Sequence, residues 1–546
     1  MRRLVPAAPT AHVDTYAREL LPPEALQPDY EFTLDELHYP AQINCVSVLL
    51  DNAIAEGCAQ RVAIHSPSGS WTYAQLLAKT NQIAHVLTDD LDVVPGNRVL
   101  LRGFNGPMLM AAWLAVVKAG AIAVTTMPLL RSKELGQIAD KARIVHALCD
   151  ARLLQELRDA AVQTGHCSIA TTWGDGALEK MMARKPSNFE AIPTSRDDLC
   201  LIAFTSGTSG VPKATGHFHR DVLAMADVVG RHLLKTTPDD VYTGSPPLGF
   251  TFGLGALLVF PLRFRAASAP IEQPTPEALL YAVETYSATC LFTAPTMYRT
   301  LAARVEGHRI DSLRRAVSAG EPLPLATREL WLLATGLHLT DGIGATEMIH
   351  IFIATNGVDA PHGSIGRALP GYTACVIDEA GNPMVPGGVG RLAVKGPTGC
   401  RYLQDERQRD YVVRGWNVTG DRFRVDEQGY FWFVTRTDDM ILSSGYNIAG
   451  PEVESALLQH PAVRECAVVG LADEERGQLV AAFIVLQPGH VPSAELASQL
   501  QTFVKGRIAP YKYPRRVEFL AALPKTPTGK VQRNELRARG ADIGTD

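Results

Sequence analysis

The stretch FTSGTSGVPKAT, residues 204–215, crowds hydroxyls and glycines directly behind the apolar run LCLIAF. Gly207 and Gly210 let backbone N–H groups converge on one anion. Thr205, Ser206, Thr208 and Ser209 add hydroxyl donors, and Lys213 adds a positive charge. That combination suits a phosphate. It is not the Walker A loop, whose lysine directly follows a glycine; here Val211 and Pro212 intervene. The bland alternative is a solvated Ser/Thr/Gly turn after a strand.

Four later strings place single charged or small residues in loops: SAGEPLP (318–324), DGIGATE (341–347), the pair GDRF and RTDDMILSSGYNIAG beyond Thr419, and PKTPTGKVQR (524–533). Read one at a time they are unspecific. DGIGATE alone is more commonly a strand-end turn with an N-cap threonine, and Lys530 behind Pro-Thr-Gly would be a turn lysine in most proteins. Their joint order carries the information.

These loops need elements to hold them. Thr72 and Gln75 have the spacing of a capping box, and Leu76, Thr80, Ile83 and Leu87 then fall on one helical face. RVLLRGFN (98–105) reads as a buried strand, followed by an apolar helix at 109–117 and a strand at 121–126. The rhythm returns at 198–204 and 288–292, and strands alternating with helices predict parallel sheets covered on both faces. Beyond about Thr373, ACVID, GRLAV and GYFWFV are separated by turn residues and read as antiparallel strands, a small barrel-like subdomain. A third texture follows: helix 451–459, strands 466–471 and 479–486, and a helix from Ser493. The expected organisation is an α/β domain over 1–437 and a small α+β domain over 438–546.

Composition excludes several classes. The 546 residues are too many for one compact domain, and 46% hydrophobic with 20% charged is the balance of a protein with a large core. A net charge of -5 argues against nucleic acid as a partner. Nine scattered cysteines with no C-x-x-C pair suggest neither a zinc site nor a disulfide framework, and fit a reducing compartment. MRRLVPAAPT has no apolar run behind its arginines, and Lys118 and Pro128 break the longest apolar stretch. The expectation is a cytoplasmic protein without a membrane span. The sequence says nothing of its oligomeric state.

Taken together, the strings between Cys200 and Lys530 resemble, in order, the signature motifs of the adenylate-forming enzymes: acyl-CoA synthetases, adenylation domains and beetle luciferases. The resemblance implies ATP, Mg²⁺ and coenzyme A as cosubstrates or cofactor. It places Thr205, Ser206, Gly207, Thr208, Ser209 and Lys213 at the phosphates, and Gly320, Glu321, Asp341 and Gly342 beside the adenine. Thr346 would donate to the α-phosphate and Glu347 would hold the metal, while Asp421 and Arg436 would meet the ribose side. Asp438 would be the hinge, Gly445 the wall of the pantetheine passage, and Lys530 the lysine of the adenylation step. One departure stands out: many relatives have an aromatic residue where Ile343 stands.

MIHIF (348–352) further resembles the benzoate–CoA ligase branch, and the whole chain, TTMPLLR (125–131) included, looks most like 2-aminobenzoate–CoA ligases. The acid would lie among Phe250, Ala319, Gly344 and His350, with PPLGFTFGLG (246–255) as a wall. The alternatives are a stand-alone enzyme loading an aryl acid onto a carrier-protein thiol, and a non-catalytic nucleotide-binding relative.

Overall fold

A computed structural model describes residues 8–205, 212–355, 360–436, 439–443, 446–473, 476–508, 510–526 and 529–542. The capping box is present. Thr72 Oγ1 accepts from the Gln75 N–H at 3.2 Å, Gln75 Oε1 accepts from the Thr72 N–H at 2.8 Å, and the helix Tyr73–His85 buries Leu76, Thr80 and Ile83. The predicted strand at 98–105 is shorter, Arg98–Arg102. Pro107 opens the next helix, Pro107–Lys118, so the chain must leave the strand a few residues earlier. Lys118 ends that helix fully buried, its ammonium 2.6 Å from Asp51 and 2.7 Å from Asn81.

Two large sheets form the bulk of the chain. The first runs Ser168–Trp173, His146–Asp150, Arg98–Arg102, Ile122–Thr126, Leu199–Thr205, Lys213–Phe218 in spatial order. Its strands are parallel except the last, which turns back on Leu199–Thr205 and sets Lys213 opposite Thr205. In the second, six neighbouring strands are parallel: Leu339–Gly344, Arg315–Ser318, Cys290–Thr293, Val241–Gly244, Ala267–Pro270 and Val62–Ile64. Antiparallel strands close both edges. Parallel strands with helical crossovers are buried on both faces, which is why they read as unbroken apolar runs.

The carboxyl ends of the two sheets meet. A Cβ on Gly249 would lie 3.0 Å from the Thr126 carbonyl carbon, so any side chain there would press on that strand end. Asn105 ties the same junction: its amide donates to the Pro246 carbonyl at 3.0 Å, and its oxygen accepts from the Leu248 N–H at 2.9 Å.

An antiparallel sheet follows, built on Thr373–Ile377, Val389–Lys395, Trp416–Val425 and Phe431–Arg436. Residues beyond it form a separate sheet centred on the long pair Val463–Asp473 and Gly477–Leu486, flanked by helices Gly450–Leu457, Ala494–Lys505 and Arg533–Asp542. Their apolar side chains pack with one another in two clusters spanning Ile441 to Leu536. Among the described residues, no helix is long and apolar enough to cross a membrane.

Candidate active site

In open parallel sheets ligands bind outside the carboxyl ends of the strands. The expected site residues gather there. Thr205 ends one strand, Ser318 delivers Ala319 and Gly320, and Gly344 delivers Thr346 and Glu347. Ser206, Gly207, Thr208 and Ser209 lie outside the described residues, as do the hinge Asp438 and Gly445. Lys213 stands at the start of the returning strand, beside the end of the phosphate-loop string.

Glu347 is buried in a short turn, Thr346–Met348. The next residue but one, Ile349, is held at φ +64°, a costly conformation for a β-branched side chain and of a kind concentrated at functional sites. Its neighbour's carbonyl is tied down, since Thr398 Oγ1 donates to the Met348 oxygen at 2.9 Å. Glu347 Oε1 accepts from the hydroxyl of Tyr402, which in turn accepts from Lys213 Nζ at 3.2 Å. Burial first, then the Glu347 carboxylate, push the Tyr402 hydroxyl far above its ordinary range, so it stays a neutral donor. A carboxylate with one oxygen bonded and the other without a hydrogen bond among the described residues is a fitting hard ligand for Mg²⁺ beside substrate phosphates.

Other residues sit as follows. Gly320 has φ +93° and open space where a Cβ would point, which permits close ligand approach. Glu321 is half-buried, its carboxyl raised by burial against the opposing charges of Lys525 and Lys530, so the last lysine string faces this strand end. Lys530 itself is exposed. Asp421 and Arg436 face each other across paired strands and bond at 3.1 Å.

Asp341, Gly342 and Gly344 have the following surroundings. Asp341 Oδ2 accepts from Arg328 at 3.3 Å, and burial raises the group to about 7. Gly342 is buried, and a Cβ there would strike Ile351; on Gly344 it would strike the His350 carbonyl at 2.7 Å. Both glycines serve the close pairing of Leu339–Gly344 with Ile351–Ala354 rather than leaving room for a ligand on that side.

The rings around His350 are Phe252, with centroids 5.6 Å apart, and Phe260 at 4.7 Å, and Phe292 packs against both phenylalanines. Phe250 is half-buried at the start of the turn that carries Phe252. Ala319 is buried in the core just past the strand Arg315–Ser318. Gly255 is needed here: its Cβ would meet the imidazole at 2.6 Å. His350 is 3% exposed, and burial lowers it to about 3, so the ring is neutral at pH 7. Nε2 faces the Phe252 carbonyl at 3.4 Å, which assigns the ring proton to Nε2 and leaves Nδ1 a buried acceptor without a hydrogen-bond partner among the described residues.

Sequence spacing missed Tyr402, Phe260 and Asn105, while Phe252 lies within the expected wall at 246–255. It also missed a buried group, Cys45, Cys200 and His219, whose ligand atoms lie within 4.8 Å of one another. His219 Nδ1 there accepts the Cys45 backbone N–H at 3.1 Å, so that lone pair is already committed inside the core.

The two sheets, the antiparallel subdomain and the loop ends define an adenylate-forming architecture. Residues 50–402 match the AMP-binding enzyme family, and residues 452–530 match the AMP-binding enzyme C-terminal domain. The chain belongs to the AMP-binding enzymes, in the branch that holds the benzoate–CoA ligases. It is 33% identical to the benzoate–CoA ligase of Thauera aromatica over 519 residues, covering 93% of this chain and 98% of that one. Among solved structures, it resembles the anthranilate CoA ligase AuaEII in complex with anthranoyl-AMP, with a TM-score of 0.88, 32% identity and coverage of 94% and 100%. It also resembles a benzoate CoA ligase from Burkholderia xenovorans LB400, with a TM-score of 0.84, 31% identity and coverage of 91% and 100%. The protein is an AMP-forming acid–thiol ligase that uses ATP and coenzyme A.

Proposed function

We propose that the acid is a benzoate, with 2-aminobenzoate preferred. One observation carries this: a neutral imidazole stands among phenylalanine rings with Nδ1 bare. The rings suit a flat aryl acid. A lone-pair acceptor matches an N–H donor such as an ortho-amino group. The anthranilate and benzoate ligases among the relatives support the same class.

The reaction then proceeds in two steps. A carboxylate oxygen attacks the α-phosphorus of ATP, the bond to pyrophosphate breaks, and an aryl-adenylate forms. Thr346, Lys213 and the loop at 205–209 hold the phosphates, Gly320 and Glu321 border the base, and Asp421 and Arg436 face the ribose. Mg²⁺, when bound at Glu347, would screen the phosphate charge. Lys530 reaches the developing charge on the α-phosphate side. The unit beyond Thr437 then turns about Asp438, withdrawing Lys530 and presenting Gly445 to the pantetheine arm. The thiol of coenzyme A attacks the acyl carbonyl and AMP leaves.

The test is isotopic. Benzoate carrying ¹⁸O in both carboxylate positions should transfer one ¹⁸O to the phosphate of AMP and keep the other in the thioester. Unlabelled AMP, or ADP as product, would exclude the aryl-adenylate. Product on free coenzyme A also separates this reading from carrier loading, and any pyrophosphate release excludes a non-catalytic relative.

A further inference from the structure

Tyr402 lies between two charges of opposite sign that do not pair with each other. Its hydroxyl donates to Glu347 Oε1 and accepts from Lys213 Nζ at 3.2 Å. A phenol has one proton to donate and lone pairs to accept with, so these two bonds use it in both senses. The ammonium also lies 5.0 Å from the ring centroid of the same tyrosine, within range of a cation–π contact.

The phenol is held rigidly. The Tyr402 N–H donates to Gln408 Oε1 at 2.8 Å, and the ring packs edge-on against Tyr411 with centroids 5.8 Å apart. An isolated bridge joins Tyr402 to Thr215, two residues past Lys213 on the returning strand. Nothing in the spacing of residues 213, 347 and 402 announces the arrangement; three separate segments create it.

We propose that Tyr402 is a positioning residue for adenylation, a neutral spacer that keeps Lys213 and Glu347 from collapsing into a direct ion pair. With Oε1 occupied by the phenol, the second carboxylate oxygen is kept for the metal and the ammonium for phosphate. The inference rests on the reading of Glu347 as the metal ligand. Without the spacer a short carboxylate–ammonium contact would satisfy both groups at once, and both would be lost to the nucleotide.

The experiment measures Mn²⁺ binding by electron paramagnetic resonance, at saturating α,β-methylene-ATP, in wild type, Tyr402→Phe, Glu347→Gln and Tyr402→Phe/Lys213→Met. Partners that hydrogen-bond a metal ligand are typically worth about 10- to 100-fold in affinity, so Tyr402→Phe should weaken Mn²⁺ by that factor. Removing the amine as well should restore much of it, because the competing ion pair can no longer form. In kinetics, Tyr402→Phe should raise the Mg²⁺ requirement of adenylation while leaving thioester formation from pre-made adenylate unchanged. Weakening by Glu347→Gln but not by Tyr402→Phe overturns the spacer and leaves the metal assignment standing. No effect from Glu347→Gln overturns the metal assignment itself and the spacer with it. Equal loss in the single and double variants, or a Tyr402→Phe chain that does not fold, makes the hydroxyl a structural group and also overturns the proposal.

Discussion

Lys530→Ala lowers aryl-adenylate formation by about 10²-fold or more, the scale for losing one group that stabilises charge in the transition state. Thioester formation from pre-made aryl-adenylate is nearly unchanged, because the account has Lys530 withdrawn by then. The structure brings this lysine near the strand end that holds Gly320. It is exposed, the Thr526 N–H donates to its carbonyl at 2.7 Å, and Gly529 takes φ +88°. Its charge, with that of Lys525, acts on Glu321 at the strand end beside Gly320. The two half-reactions are measured separately, by pyrophosphate exchange and by single-turnover release of AMP. Equal loss in both would remove the domain rotation from the mechanism.

The second large effect concerns stability. Arg401 and Asp221 form an ion pair at 2.6 Å with both side chains fully buried, and the guanidinium lies 3.9 Å over the Phe218 ring. Asp221 also accepts the Phe218 N–H at 2.9 Å, fixing the turn into the helix His219–Met225. Breaking such a pair leaves an uncompensated buried charge, so Asp221→Ala should cost about 3–5 kcal/mol. A double replacement of both partners by apolar residues of similar volume should cost much less, since neither charge is then stranded. The check is the first unfolding transition in urea, with the midpoint falling and the slope unchanged. Activity loss without a shifted midpoint would instead assign the pair to the site, through Tyr402 next in sequence.

Much of this fold was legible because its signals are local. The Thr72–Gln75 cap, the apolar runs and the turn-separated strands after Thr373 each depend on neighbours within a few residues. The order of the site strings was legible for the same reason, and the strings at 204, 318 and 341 each reach past a strand end. What connects the strings was not. Asp421 meets Arg436 because strand register sets them opposite, and Tyr402 meets Glu347 across 55 positions. Phe260 was hidden in an apolar run where every residue looks like core. Gly344 gave no sign of its neighbour, because a glycine signals only the absence of a Cβ. Its pairing partner, not its type, shows that the missing atom makes room for the His350 backbone.

The central claim is that the acid is aromatic, and kcat/KM for 2-aminobenzoate, benzoate and octanoate at identical ATP and coenzyme A tests it most directly. An ortho-amino group adds about the bulk of one methylene, and losing a methylene-sized contact in such a pocket changes discrimination by only ~1–3 kcal/mol. Benzoate should therefore follow 2-aminobenzoate within about 200-fold. Octanoate should trail both, because a flexible chain gains little from rings arranged around a flat acid and must be ordered to fit. Octanoate leading the series would contradict the aryl assignment and leave only the adenylation chemistry standing.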